Sequence, residues 1–170
     1  CIKARKIEKS EQRKFEPKIL AYDIETDEAE LGKGNILMIS LYGKDFKKVL
    51  TWKHCDQKQD YVECFEDEGE MLEKFVESVK EYDPDILTGY FSDGFDLPYL
   101  KAAAEKNKIK LALGIDNKQP TFTRGRIPSG KISGIVHIDL YRFIDAVFSQ
   151  YLQSETLSLN DVASELLNEK

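Results

Sequence analysis

The sequence predicts one α/β domain, a ribonuclease H-like mixed sheet of five strands with helices on both faces. Two observations predict it. Short rows rich in β-branched and aromatic residues alternate with longer stretches of helical period, in the order strand, strand, strand, helix, strand, helix, strand, helix. A chain of 170 residues, 41% hydrophobic and 11% aromatic, is large enough for one full core and too small for two ordinary ones. Element order alone also fits several unrelated folds.

Residues 1–16 carry six basic and three acidic side chains, lack a clear period and end at Pro17. They read as a lead-in from a preceding domain, with the folded domain spanning 17–170. Cys1 in the first position, where Met is expected, suggests a piece of a longer polypeptide. From Lys18 to Glu25 the row KILAYDIE is mostly apolar at both alternating positions, as in a central strand covered on each side. Ile36 to Tyr42 and Lys48 to Trp52 follow the turn-rich Gly32 to Asn35 and Gly43 to Asp45, completing a meander. Met71, Leu72, Phe75, Val76, Val79 and Tyr82 form one stripe of a helix from Glu68 to Tyr82, stopped by Asp83-Pro84.

Ile86 to Tyr90 is the next strand, and Leu97 to Lys106 a helix with Pro98 in its first turn and Asp96 as its N-cap. The segment RGRIPSGKISG, Arg124 to Gly134, has the Gly and Pro of a chain reversal and reads as a hairpin, with a plain loop as the alternative. Ile135 to Asp139 is the fifth strand. Leu140, Phe143, Ile144, Val147, Phe148 and Tyr151 mark the core stripe of the helix after it, and Ser158 with Asp161 forms a capping box opening a last helix through Leu167.

Composition narrows the function classes. The apolar runs are too short to cross a bilayer and the start is charged, so a soluble intracellular protein with no membrane partner is expected. Three cysteines without a CxxC pair suggest reduced thiols, and His54, Cys55 and Cys64 lack the fourth ligand and the spacing of a zinc site. A net charge of −6 is the wrong sign for a module whose whole surface grips phosphate. Contact with nucleic acid would need carboxylate-held cations or a basic domain on the same polypeptide.

Asp23 and Glu25 stand two apart on a strand, so both point to one face. Side by side they raise each other's pKa unless a cation compensates, and oxygen-only donors select Mg²⁺ or Mn²⁺. The alternative is a solvated strand end. Asp96 lies at a strand-to-helix junction after Ser92-Asp93-Gly94, where sites often form, with simple N-capping as the alternative.

These residues fall in a family pattern. AYDIET at Ala21 to Thr26 and GYFSDGFDLPYL at Gly89 to Leu100 resemble the first and second exonuclease motifs of family B DNA polymerases. The likeness continues through ILMISLYG, VLTWK, EYDPDILTGY, HIDLY and TLSLNDVASELL. The chain is identified as similar to the 3′-5′ proofreading exonuclease domain of that family, most of all the archaeal enzymes. The resemblance implies that Asp23, Glu25 and Asp96 are catalytic and hold a two-ion Mg²⁺ or Mn²⁺ site that hydrolyses the 3′-terminal phosphodiester of unpaired DNA. It implies as partners a single-stranded or frayed 3′ end and the remaining polymerase domains of the same polypeptide. Phe95 matches the motif's aromatic. Tyr90 and Phe91, like Tyr22, are further candidates to stack on the DNA end, with core packing as the alternative. Arg124, Arg126 and Lys131 occupy the family's strand-passing hairpin and would touch phosphate, an exposed basic turn being the alternative.

Two departures stand out. Most members carry asparagine where this chain has Phe91, and the third motif, Tyr-x-x-x-Asp, is expected beyond Lys170. Tyr141 to Asp145 has that spacing but sits in the helix after HIDLY. The piece is therefore expected to keep the fold with weak or no nuclease activity by itself. A non-catalytic nucleic-acid-binding or scaffold module and a free-standing nuclease are the other readings.

Overall fold

The computed structural model describes residues 6, 14–53, 59–124, 128–154 and 156–167. His54, Cys55 and Arg126, and with them the His54-Cys55 cluster, lie outside the described residues.

Strands β1 (Ile19–Thr26), β2 (Ile36–Gly43) and β3 (Phe46–Thr51) form the expected antiparallel meander. After β4 (Val62–Cys64) and helix α1 (Glu68–Tyr82), strand β5 (Ile86–Gly89) returns parallel to β1. Helix α2 (Asp96–Lys106) leads to a small antiparallel pair, β6 (Thr121–Phe122) and β7 (Gly130–Lys131), so strands do pair around the expected reversal, the first of them lying before Arg124 and outside the expected segment. Strand β8 (Val136–Asp139) then lies parallel to β5, followed by α3 (Leu140–Val147) and α4 (Leu159–Leu167). The main sheet has six strands in the order β4-β3-β2-β1-β5-β8.

All five expected strands form. The sixth, β4, is three residues long with Glu63 at its centre, too short and too polar to leave a periodic signal. Cys64 at its end is disulfide-bonded, which corrects the expectation of reduced thiols: sequence spacing does not show which thiols meet in space. No described helix is long and apolar enough to cross a membrane.

Alternation along β1 sends Leu20, Tyr22 and Ile24 into the core, and their cross-strand partners Leu41 and Ile39 share that face. Met71, Leu72, Phe75 and Val79 of α1 and Leu97 and Leu100 of α2 complete the core. Asp67 starts α1 by accepting the Glu70 N–H at 2.9 Å, and Asp83 ends it in a left-handed conformation. Half of the expected Ser158 to Asp161 capping box forms: the Asp161 N–H donates to Ser158 Oγ at 3.2 Å, whereas the Ser158 N–H donates to Thr156 Oγ1 at 3.4 Å and Asp161 Oδ2 accepts the Ser158 hydroxyl at 2.7 Å.

The other face of β1 differs from expectation. Asp23 and Glu25 are exposed, as is Tyr42 next to Ala21, so the strand is fully covered on one side only. A cavity of about 290 Å³ opens there, lined by Ala21, Asp23, Ser40, Tyr42, Thr88 and Tyr90 of the sheet and its end and by Leu140 of α3 and Leu159 of α4. The stripe of α3 is likewise not core: only Ile144 is buried, while Phe143, Val147 and Tyr151 are exposed, because the helix rests on the end of β8 at the sheet's edge. Asp145 points to solvent, as expected.

Glu68, at the start of α1, ties distant elements together. Its Oε1 accepts the buried Ile36 N–H at 2.6 Å, and its Oε2 accepts Asn107 Nδ2 at 2.7 Å beside Lys106 Nζ at 3.4 Å. Glu68→Ala should destabilise the fold by about 1–3 kcal/mol in urea unfolding, the cost of leaving these donors unmatched. A loss under about 0.5 kcal/mol would show that water replaces the carboxylate freely.

Candidate active site

Strand β5 ends at Gly89 after pairing Ile19 to Ala21 of β1, so the rest of β1 has no strand partner on that side. The chain turns there through Tyr90 to Phe95, closed by N–H groups of Gly94 and Phe95 on the Phe91 carbonyl and of Leu97 on that of Ser92. Asp96 emerges at the first position of α2. It is not the cap: Phe95 occupies that place with no side-chain cap hydrogen bond. Freed from capping, Asp96 turns to β1, where its Oδ1 accepts the Ile24 N–H at 3.3 Å.

This places Asp96, 3% exposed, beside the acid pair. Burial first, then the charge of Asp23, pushes the Asp96 carboxyl up to about 7. Asp23 is raised as well, by partial loss of hydration and by Glu25. Asp23 is thus within electrostatic reach of both other acids. Among the described residues, however, no three His, Cys, Asp or Glu side chains converge as a ready-made ligand set. Carboxylates without a cation between them repel, so close convergence would itself require the ion.

The aromatic candidates divide. Phe95 packs against the core with its ring 5.4 Å from Tyr99, and Tyr22 is buried between Phe75 and His137. Tyr90 donates its hydroxyl to the Leu157 carbonyl and meets the Tyr141 ring edge-on, although it still lines the cavity. Phe91 is different: its ring is 47% exposed, standing edge-on to Tyr141 at 5.3 Å. Its φ is +60°, a conformation that suits asparagine and costs a bulky residue about 1–2 kcal/mol. A Cβ on Gly94 would come within 2.5 Å of that ring, so Gly94 makes the room for it. Arg124 and Lys131 are exposed on the small hairpin.

A second group of polar residues, not singled out from the sequence, underlies the turn. Asp139 caps α3 through the Tyr141 N–H and also accepts the N–H groups of Phe91 and Asp93, each at 3.0 Å. Asp93, 3% exposed, accepts the Gly130 N–H and Arg142 Nη1, each at 2.7 Å. His137 Nε2 lies 3.2 Å from the hydroxyls of Tyr22 and Ser92. Its Nδ1 is 3.2 Å from Asp93 Oδ1, close enough for attraction but without hydrogen-bond alignment. Burial lowers the His137 pKa against the pull of Asp93 and Asp139, so the ring is neutral at pH 7. Asp139 before a helical run is a readable N-cap signal. The meeting of Asp93, His137 and Arg142 leaves no local trace.

Comparison with known proteins agrees with the motifs. The family described as DNA polymerase family B, exonuclease domain, matches residues 1–162. A DNA polymerase of Pyrococcus glycovorans is 44% identical over 133 residues, covering 76% of this chain and 17% of the relative. One of Thermococcus litoralis is 42% identical over 132 residues, 74% of this chain and 8% of the relative. The chain therefore spans less than a fifth of these relatives. A solved family B DNA polymerase from Pyrobaculum calidifontis superposes with a TM-score of 0.70 at 24% identity, covering 91% of this chain and 19% of that one, which shows the shared fold. With its motif acids on β1 and at the head of α2, this chain belongs to the exonuclease-domain family of the family B DNA polymerases.

Proposed function

We propose that residues 17–170 act as the 3′-5′ proofreading part of a DNA-directed DNA polymerase, removing the terminal nucleotide from an unpaired primer end. The observation that supports it is Asp96, released from helix capping and held against β1 beside Asp23, with its carboxyl raised by burial and by the charge of Asp23. Oxygen-only donors that oppose one another's ionisation fit a hard divalent cation. Asp23, Glu25 and Asp96 would hold Mg²⁺ or Mn²⁺. Two such ions would supply Lewis acidity at the scissile phosphate and lower the pKa of the attacking water. The three carboxylates would act on that phosphate only through the ions they hold; the water oxygen would bond to phosphorus as the bond to the penultimate 3′ oxygen breaks, that oxygen would take up a proton, and a nucleoside 5′-monophosphate would leave.

An unpaired end needs no unstacking before it enters. The exposed Phe91 side chain would stack on it, Tyr90 lines the cavity, and Phe95 supports the turn from the core side. Arg124 and Lys131, both exposed, would meet phosphate, and Arg126 is assigned with them by sequence. Such contacts would offset a net charge of −6, which otherwise repels DNA. The second reading, a non-catalytic module, draws on the lack of a ready-made ligand set among the described residues.

Mn²⁺ titration of the domain, followed by 3′ digestion of a labelled single-stranded oligonucleotide by a polypeptide extended past Lys170, separates the two. Enzyme function predicts Mn²⁺ binding and nucleotide loss that Asp23→Ala abolishes. No metal response in either polypeptide would leave the non-catalytic module.

Asp96 also sets a pH dependence. Its folded pKa lies above the ordinary carboxylate value, so between about pH 4 and 7 the native state binds the extra proton. Stability of the metal-free domain should therefore fall as pH rises through that window, by on the order of 2–4 kcal/mol from this group. Asp96→Asn should flatten the slope and stabilise the domain at pH 8. Denaturant midpoints from pH 4 to 8 measure it, and an unchanged slope in the variant would acquit Asp96.

Phe91→Asn relieves the left-handed strain while removing the exposed ring. Stability should stay within about 1 kcal/mol of the unmodified domain. Affinity for a single-stranded oligonucleotide should drop several-fold, since stacking on one aromatic is worth about 1–3 kcal/mol. Equal affinity by fluorescence anisotropy would remove Phe91 from the interface.

A further inference from the structure

Asp93 is the most deeply committed charge outside the acid cluster. Three residues before Asp96, it reaches β7, β8 and α3. A carboxylate only 3% exposed survives burial when its lone pairs are matched, and here Gly130 N–H and Arg142 Nη1 each approach to 2.7 Å. Its own N–H is fixed by Asp139 Oδ2 at 3.0 Å. The turn is thus pinned at Asp93 from three elements. It is pinned again just past Asp96, because Gly130 backbone bears on Leu97: a Cβ there would stand 2.3 Å from Leu97 Cδ2. Asp96 lies between these two points, and its Oδ1 is tied to β1 by the 3.3 Å contact with the Ile24 N–H.

We propose that Asp93 is a positioning residue: its carboxylate clamps the turn to the β6-β7 hairpin and to α3, and so sets where the Asp96 carboxylate stands over β1. The inference builds on the metal-site reading of Asp96, but its geometric part does not need that reading. Arg142, its side chain 37% exposed, supplies the opposite charge. Gly130 supplies a donor that only a residue without a side chain brings close enough. Because the same carboxylate holds hairpin and turn, the basic hairpin keeps one place relative to the acids. Partners one shell removed from a metal ligand commonly change metal affinity about 10–100-fold.

The test compares the unmodified chain with Asp93→Ala and the near-isosteric Asp93→Asn, whose amide cannot match both donors. Amide hydrogen exchange is read by NMR at Ile24, which reports the Asp96 contact, at Gly130, and at Phe75 and Val79 in α1 as controls. The proposal predicts exchange at least about tenfold faster at Ile24 and Gly130 with α1 unchanged, and Mn²⁺ affinity lowered about 10–100-fold. Unchanged Ile24 exchange in a folded variant overturns it. So does acceleration shared equally with Phe75 and Val79, which would make Asp93 a general stability residue, as would failure of Asp93→Asn to fold when Asp93→Ala also fails. If neither the unmodified chain nor the polypeptide extended past Lys170 binds Mn²⁺, the nuclease reading falls, and the Ile24 and Gly130 amides still decide the role of Asp93.

Discussion

The contact between the Ile24 N–H and Asp96 Oδ1 carries a constraint on which the site depends. A strand that outruns its neighbour leaves backbone donors without partners, and a buried donor must find one. Beyond Ala21, β1 has lost β5, and the first residue of α2 supplies the missing acceptor. That substitution carries a third carboxylate to the strand that already bears Asp23 and Glu25. Extending β5 by two residues would satisfy the backbone and leave no place for Asp96.

Much of the fold is legible because its parts have strong periods. The apolar stripe of α1 and the Asp83-Pro84 stop fix that helix, and the alternating rows fix β1, β2, β3, β5 and β8. What escapes is set by partners distant in sequence. Glu63 looks like loop until β3 lies beside it, and KILAYDIE is apolar enough to read as covered on both faces even though its Asp23 and Glu25 share the face that stays open. The acids show the same divide. Asp23 and Glu25 declare a shared face by their spacing, whereas Asp96 has the sequence of a helix cap and is freed from that role only by the turn before it. The surrounding set of Asp93, Asp139, His137 and Arg142 depends on parallel pairing of β5 with β8, which brings Gly89 beside Asp139.

Phe91 shows how the turn tolerates strain. A bulky residue at φ +60° would relax if the backbone were free, but its N–H is held by Asp139 and its carbonyl accepts from Gly94 and Phe95. The ring then has little choice of direction and stands half in solvent against Tyr141. Exposure of this ring follows from over-determined hydrogen bonds in the turn, not from a lack of apolar surface nearby.

The two faces of the sheet divide the labour that makes this arrangement stable. Leu20, Tyr22, Ile24, Ile39 and Leu41 pack on one side, against Phe75, Leu72 and Leu100, and burial there contributes about 1.5–3 kcal/mol per large side chain. The opposing face carries Asp23 and Glu25, with Asp96 at the strand's open edge, its carboxyl raised by burial and by the charge of Asp23. Period-two alternation makes the two compatible, because Ile24 anchors the same strand segment from which its neighbours Asp23 and Glu25 project. A one-residue slip of β1 against β2 would bury the acids in the apolar core and expose the anchors, so the register that stabilises the sheet is also the register that presents the site.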